Sequence, residues 1–92
     1  MPTGRSGIAA VAHRGRLYVF GGETIGWFSS KTFDEAERFD PATGTWASLP
    51  PMPTARHGLG AASLGEGIYV VSGGPRPRLT LGAANERLVE RP

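Results

Sequence analysis

The sequence contains no cysteine among its 92 residues. Disulfide bonds and zinc sites built on thiolates are therefore excluded for this chain. It also has no apolar stretch approaching the roughly 20 residues that a membrane-spanning helix needs. Residues 1–5 lack the apolar core of a signal peptide. We therefore expect no membrane insertion, and these absences do not identify a cellular compartment.

A strong excess of charge of one sign is absent as well. Ten Lys and Arg residues against eight Asp and Glu residues give a formal net charge of +2, and the arginines are scattered along the chain. A nucleic-acid partner is not expected, because phosphate binding needs basic side chains grouped on one surface.

Glycine and proline are abundant, with fourteen and eight residues respectively. Such a composition predicts many turns and little helix. The hydrophobic content of 39% is enough for a folded core, and the length allows one small domain at most. We therefore expect a small all-β structure.

Two apolar segments that end in glycine organise the chain. Residues 17–20 read Leu-Tyr-Val-Phe and precede Gly21 and Gly22, whereas residues 68–71 read Ile-Tyr-Val-Val and precede residues 72–74, Ser-Gly-Gly. Aromatic and β-branched residues without strict alternation predict a strand covered on both faces. Successive glycines end it, since they reach backbone angles closed to other residues.

These segments belong to a repeat with a period of 51 residues. The gap-free alignment matches Met1 with Met52, Arg5 with Arg56, Tyr18 with Tyr69, Gly22 with Gly73, Glu35 with Glu86, and Pro41 with Pro92. A period near 50 residues is typical of a solenoid, a propeller or another array. We therefore predict two units, residues 1–51 and residues 52–92.

Each unit is predicted to form an antiparallel meander. In the first unit we expect four strands, at about residues 7–12, 17–20, 33–39 and 45–49, with a long loop over 23–31 and turns at 13–16 and 40–44. In the second unit we expect three strands, at about 58–63, 68–72 and 85–90, with a long loop over 73–84. Prolines 50, 51 and 53 stop the pairing between the units, because proline donates no ladder hydrogen bond.

The series of motifs resembles the kelch repeat, within the galactose oxidase-like propeller superfamily. Its parts are the diglycine after an apolar strand, residues 36–41 (Ala-Glu-Arg-Phe-Asp-Pro), residues 44–46 (Gly-Thr-Trp) and residues 52–56 (Met-Pro-Thr-Ala-Arg). The resemblance implies two kelch-type four-stranded antiparallel blades, the second lacking its outer strand, as a segment of a β-propeller. It also implies that the first strand of each blade is innermost and that Trp46, Tyr18 and Tyr69 pack between blades.

The second unit departs from the kelch pattern in two ways. Ser72 stands where the first unit has Gly21, so this strand end is expected to be looser or shifted by one residue. Gly44 and Trp46 have no counterpart, which fits a last blade completed by a strand from the other end of the chain. Met1 matches an internal motif position, and we interpret the sequence as the last two blades of a longer propeller.

No catalytic constellation, metal site or cofactor is predicted. His13 and His57 do not stand at metal-ligand spacing from other ligands. Glu35 and Glu37 share one strand face, which favours a solvated surface or an ion pair at the blade edge over acid–base chemistry. The copper site of galactose oxidase needs a cysteine-modified tyrosine, which this chain cannot form unaided.

The candidate binding site is the end of the blades that carries the long loops, because recognition concentrates in loops on rigid scaffolds. By resemblance to kelch propellers that bind peptides, the candidates are Ser6, Glu23, Thr24, His57 and Arg76, with Pro75 beside the last of these. Trp27 is added as an aromatic interface anchor, with a lid over its own blade as the alternative. Arg5 and Arg56 are predicted to be structural and to bond loop carbonyls at the blade junction.

The predicted function is that of a binding scaffold for a protein or another macromolecule. One alternative is a fragment of a propeller enzyme of the galactose oxidase or sialic-acid epimerase type, with catalytic groups distributed around the ring. Another is an incomplete gene product without an independent role. Two blades leave two apolar faces uncovered, so we also expect association with missing blades or with further copies.

Overall fold

The computed structural model describes residues 1, 4–25, 30–75 and 85–89. These ranges hold no helix, and hence none that could cross a membrane. Their strands are β1 (Ala9–His13), β2 (Arg16–Phe20), β3 (Glu23–Ile25), β4 (Ser30–Thr32), β5 (Ala36–Asp40), β6 (Thr45–Leu49), β7 (Gly60–Leu64), β8 (Gly67–Val71) and β9 (Asn85–Val89). The prediction of an all-β fold is confirmed.

The first sheet has the strand order β1-β2-β5-β6, with every neighbouring pair antiparallel. It is the predicted four-stranded meander, although β5 begins at Ala36 rather than near Phe33. The backbone of the preceding residues serves other partners, because the amide of Phe33 donates to the Gly22 carbonyl at 2.8 Å and the Asp34 carbonyl accepts from the Met52 amide at 2.7 Å. The third strand is therefore shorter than predicted.

The segment predicted as a long loop over residues 23–31 contributes to a small two-stranded ribbon, separate from the two larger sheets. β3 and β4 pair antiparallel, with Glu23 opposite Thr32 and Ile25 opposite Ser30. The prediction of a loop is wrong for residues 23–25 and 30–31. Most of these residues are polar, which suggests a loop, but the β-branched residues among them favour a strand. Trp27 lies outside the described residues.

The second sheet has the order β7-β8-β9, again antiparallel. Glu86 lies opposite Val70, as Glu37 lies opposite Val19 in the first sheet. Glu86 is therefore the counterpart of Glu37, which lies 49 residues earlier in the chain. The gap-free alignment of Glu86 with Glu35 is wrong. The two alignments differ because the connection from β8 to β9 is two residues shorter than the connection from β2 to β5.

The core lies between the two sheets. Tyr18, Phe20 and Ala36 on the first sheet and Ile68 and Val70 on the second belong to one buried cluster. At one edge of this interface β1 contacts β7, where Nδ1 of His13 and Oγ of Ser63 are hydrogen-bonded. The predicted packing of Tyr18 between the blades is confirmed, because only 2% of this residue is exposed.

Trp46 and Tyr69 do not lie in this interface. Trp46 stands opposite Phe39, with ring centroids 5.1 Å apart, on the face of the first sheet that points away from the second. Tyr69 alternates with the core residues Ile68 and Val70, so it lies on the outer face of the second sheet. Side chains alternate across a strand, so both residues lie on sheet faces that no other described sheet covers, and their packing between blades stays a prediction.

The position of Trp46 predicts a moderate role in stability. Trp46→Ala is expected to lower the free energy of unfolding by about 1–2 kcal/mol, because it removes an aromatic pair and part of a half-buried surface. Phe20→Ala, in the core, is expected to cost about 3–5 kcal/mol. Urea unfolding of both variants measures the difference, and equal losses would contradict the assignment of Trp46 to the outer face.

The end of β8 is strained where the sequences of the two units differ. Ser72 adopts a φ of 60°, close to the 66° of its counterpart Gly21. The residues that follow them also have positive φ values, 90° at Gly73 and 110° at Gly22. The expected shift by one residue does not occur, since β2 ends at Phe20 and β8 ends at its counterpart Val71. Ser72 therefore has a backbone conformation that favours glycine.

Ser72→Gly is expected to raise the free energy of unfolding by about 1 kcal/mol, because it removes the left-handed strain. Ser48→Gly is the matched control, since Ser48 is exposed inside β6 and a glycine within a strand costs about 0.5–1 kcal/mol. Thermal and urea melts distinguish the two variants. A Ser72→Gly variant less stable than the parent chain would contradict the proposed strain.

Candidate functional site

A buried arginine supports the long-loop end of the first sheet. Nη1 of Arg5 donates to Oε1 of Glu37 at 2.7 Å, and Nε donates to the carbonyl of Gly21. Nη2 donates to the carbonyl of Glu35 at 3.4 Å. The Arg5 side chain is fully buried and that of Glu37 is 3% exposed. Of the two interpretations of Glu37, the ion pair is the observed one, and its side chain is not solvated.

Arg56 repeats this arrangement in the second sheet. Its Nη2 donates to Oε1 of Glu86 at 2.7 Å and to the carbonyl of Val70 at 3.2 Å, and its Nη1 donates to the carbonyl of Ser72 at 3.2 Å. A guanidinium can serve several acceptors at once because it carries five N–H donors in a fixed plane. The structural role predicted for Arg5 and Arg56 is confirmed.

Gly22 and its counterpart Gly73 allow a close backbone approach beside these arginines. A Cβ on Gly22 would lie 2.7 Å from the carbonyl oxygen of Ser6, and one on Gly73 would lie 2.6 Å from that of His57. No larger residue fits at either place without a shift of the backbone. The chain that precedes each first strand therefore runs directly against the chain that follows each second strand.

This approach builds a pair of short β-bridges. The amide of Ser6 donates to the Glu23 carbonyl at 3.0 Å, and the amide of Glu23 donates to the Ser6 carbonyl at 2.7 Å. His57 and Gly74 exchange the same two bonds at 3.0 and 2.9 Å. Ser6 and His57 thus occupy equivalent positions in the two units, as the repeat predicts.

The two bridges are also joined to each other. The amide of Gly58 donates to the carbonyl of Gly7 at 2.7 Å, and Nδ1 of His57 lies 3.2 Å from Oε2 of Glu23. The Glu23 and His57 side chains are 13% and 11% exposed, whereas Ser6 and Thr24 are exposed. We call the surface formed by Ser6, Glu23, Thr24 and His57 the long-loop face.

The short turns lie at the other end of the strands. Leu17 pairs with Phe39, so the turn between β1 and β2 is next to the turn between β5 and β6. Nε of Arg16 lies 3.7 Å from Oδ2 of Asp40 and connects these turns. The structure therefore brings Ser6, Glu23, Thr24 and His57 to one end, opposite Arg16 and Asp40.

Two of the candidate binding residues, Trp27 and Arg76, lie outside the described ranges. Within those ranges no group of three or more His, Cys, Asp or Glu side chains is arranged to hold a metal ion. The chemistry available at the long-loop face is that of two exposed hydroxyls beside an imidazole and a carboxylate. Such groups can exchange hydrogen bonds with the polar groups of a ligand.

Sequence reasoning missed the contact between Glu23 and His57, although it selected both residues. The repeat alignment places Ser6 against His57 and Glu23 against Gly74, so it indicates equivalent positions but no contact between units. The contact arises because the crossover after β6 is bonded to the first unit, with the amide of Arg56 donating to the Phe33 carbonyl at 3.0 Å. No motif in the sequence predicts this hydrogen bond between the Arg56 amide and the Phe33 carbonyl.

Comparison with known proteins gives consistent results. The family described as "Kelch motif" matches residues 4–53. Kelch-like protein 15 of Danio rerio is 39% identical over 66 residues, which is 68% of this chain and 11% of that protein. Kelch repeat and BTB domain-containing protein 12 of the same species is 38% identical over 72 residues, 71% of this chain and 11% of that protein. The chain spans about a tenth of the length of these relatives.

A solved structure described as "Structure of YjhT" has a similar fold, with a TM-score of 0.66 and 25% sequence identity. The likeness covers 75% of this chain and 20% of the other. The chain belongs to the kelch motif family and forms a segment of a kelch-type β-propeller.

Proposed function

We propose that this chain acts as a binding scaffold for another protein, which it contacts through the long-loop face. Kelch repeat domains are typically protein-binding scaffolds. The observation that carries the proposal is the joined pair of β-bridges, which holds the exposed Ser6 and Thr24 on a backbone anchored by buried arginines. By sequence position, Trp27 and Arg76 belong to the same proposed surface.

A pre-organised surface favours binding. Four backbone hydrogen bonds fix the segments that carry Ser6, Glu23 and His57 before any ligand arrives. Less conformational freedom is then lost on association, and more of the contact energy contributes to affinity. The Ser6 hydroxyl donates to the Glu23 carbonyl at 3.2 Å and provides an acceptor, whereas the exposed Thr24 hydroxyl provides both a donor and an acceptor for a peptide backbone or polar side chains.

The proposal is tested by selecting peptides from a random display library on the immobilised chain and measuring the affinity of an enriched peptide by fluorescence anisotropy. Thr24→Glu is expected to weaken binding by about tenfold or more, which corresponds to one well-placed interface contact. Thr43→Glu is the matched control, because Thr43 is also exposed but lies in the turn at the opposite end.

Thr43→Glu is expected to leave the affinity nearly unchanged. A larger loss with Thr43→Glu than with Thr24→Glu would place binding at the short-turn end and overturn the proposal. In the same assay Trp27→Ala is expected to weaken binding with little change in stability if Trp27 is an interface anchor. A loss of stability without a loss of affinity would favour a lid over its own blade.

No observation on the described residues favours the alternative of a propeller-enzyme fragment. The carboxylates of Glu37, which is buried, and of Glu86, which is 15% exposed, are paired with Arg5 and Arg56, which hold the backbone of the sheets. These side chains serve the fold, whereas an enzyme needs ionisable groups that converge on a substrate. An incomplete product without a role would select no peptide that depends on Thr24.

A further inference from the structure

The ribbon of β3 and β4 has an open edge. β3 lies between β4 and the bridge to Ser6, whereas no other strand of the described residues pairs with β4. β4 is therefore the last strand of a network of backbone hydrogen bonds that begins at the bridge of His57 and crosses the long-loop face. A strand edge of this kind can accept a further chain.

The register shows how the backbone of β3 and β4 is paired. The amide and carbonyl of Glu23 bond to Ser6 on one side of β3. Neighbouring residues of a strand direct these groups to opposite sides, so those of Thr24 point to its partner Lys31 on β4. Lys31 therefore uses its own backbone groups inside the ribbon.

The residues on either side of Lys31 serve the open edge. Because the backbone groups of Lys31 point to β3, those of Ser30 and Thr32 point away from it. The Phe33 amide points to β3 again and donates to the Gly22 carbonyl at 2.8 Å, in agreement with this alternation. Within the described ranges, the outward amides and carbonyls of Ser30 and Thr32 have no backbone partner.

Lys31 gives this edge a positive charge. Its side chain is 61% exposed, and its Nζ lies 3.8 Å from Oε2 of Glu35, too far for a hydrogen bond. The ring of Phe33 lies 4.6 Å from the same Nζ, and a ring is no hydrogen-bond acceptor of carboxylate strength. A lysine at an edge repels a chain that brings another cation and favours one that brings a carboxylate.

We infer that the protein partner adds an extended segment to β4, antiparallel to it, with a carboxylate opposite Lys31. This mode of binding rests on the proposed function and specifies how the partner is held. The segment's residues opposite Ser30 and Thr32 exchange backbone hydrogen bonds with them, and the residue between stands opposite Lys31, where side chains are closest. Backbone bonds supply affinity and the charge supplies selectivity.

Thr24 connects this edge to the long-loop face. It pairs directly with Lys31, and the side chains of directly paired residues lie on the same face of a sheet. Thr24→Glu would therefore place a carboxylate beside Lys31, where it competes with the carboxylate of the bound segment.

N-methyl scanning of a peptide tests the backbone pairing without any change to the chain. The probe is the display-selected peptide of highest affinity, synthesised with one N-methyl group at each position in turn. Methylation of the residues opposite Ser30 and Thr32 is expected to weaken binding by about tenfold or more, because each loses a donor to the edge. Methylation of the residue between them is expected to have little effect, since its amide points away. Losses that do not alternate along the peptide would overturn the inference.

An exchange of charges tests the position opposite Lys31. Lys31→Glu is expected to weaken binding of the peptide by about fivefold or more, and replacement of the peptide's acidic residue by lysine is expected to restore it. Arg14→Glu is the matched control, because Arg14 is also an exposed cation but lies in the turn at the opposite end. Similar losses for the two variants would indicate general attraction between charges and overturn the pairing at Lys31.

Amide hydrogen exchange locates the added strand. On binding of the peptide, the amides of Ser30 and Thr32 are expected to exchange about tenfold more slowly or less, whereas that of Lys31, already bonded within the ribbon, changes little. Protection in the free chain that increases with its concentration would assign the edge to a second copy and overturn the inference.

The same measurement separates this inference from the proposed function. A peptide that depends on Thr24 but leaves the Ser30 and Thr32 amides unprotected would retain the proposed function and overturn pairing at β4. Protection by a peptide that is indifferent to Thr24→Glu would support the pairing and overturn the proposed role of Thr24. A selection that enriches no peptide would overturn both.

Discussion

Arg56→Leu is expected to lower the free energy of unfolding by about 3 kcal/mol, the lower end of the cost of removing one partner from a buried ion pair, because Glu86 is 15% exposed and keeps its hydrogen bond from Thr54. The change leaves the Glu86 carboxylate without its charge partner at 2.7 Å and removes the donor to the carbonyls of Val70 and Ser72. Buried acceptors without a partner are costly because they have also lost water. Urea unfolding followed by circular dichroism measures the loss.

Arg14→Leu is the matched control for this substitution. Nη2 of Arg14 lies 3.9 Å from Oε1 of Glu66, but both side chains are exposed, so the pair is expected to contribute less than about 1 kcal/mol. A small domain has only about 5–15 kcal/mol of stability in total, and Arg56→Leu therefore removes a large share. Similar losses for the two variants would show that burial does not decide the role of Arg56.

Gly22→Ala is expected to lower the free energy of unfolding by about 3 kcal/mol or more, through left-handed strain of about 1–2 kcal/mol and steric overlap of about 1–3 kcal/mol. The φ of Gly22 is 110°, and an added Cβ would lie 2.7 Å from both the Ser6 carbonyl oxygen and Cγ2 of Ile8. Relief requires movement of the Ser6 backbone, which would also break its bridge to Glu23.

Gly44→Ala separates these two contributions. Gly44 has a φ of 70° and an added Cβ would have no heavy atom within 4 Å, so only the strain of about 1–2 kcal/mol is expected. The same urea experiment compares the variants. In Gly22→Ala, the amide hydrogens of Ser6 and Glu23 are also expected to exchange faster. Equal destabilisation by both changes would argue against a close approach at Gly22.

Much of the fold could be predicted from the sequence because the two units repeat the same local signals. An apolar run that ends in glycine gives the position of β2 and again that of β8. The face on which Trp46 lies could not be predicted in this way. It depends on the register set by the turn between Asp40 and Thr45, and a difference of one residue would place Trp46 on the other face.

The candidate site could also be predicted only in part from the sequence. The alternation of turns in a meander predicts that Ser6, Glu23 and His57 lie at one end, and the register agrees. The contact between Glu23 and His57 depends on how two sheets are placed relative to each other, which local sequence does not encode. The equivalence of Glu37 and Glu86 was hidden by the different lengths of the loops before β5 and β9.

The arginine that precedes each β-bridge affects which residues of the proposed binding site can be substituted without loss of the fold. Arg5 and Arg56 are identical, but the residues that follow them, Ser6 and His57, differ in size and chemistry. Both of these residues form their bridges through backbone groups, so the bridges themselves do not depend on the two side chains, and the neighbouring arginine anchors each unit. In the proposed binding site, each unit therefore offers one position where a substitution can change the ligand contacts while the anchoring ion pair stays the same.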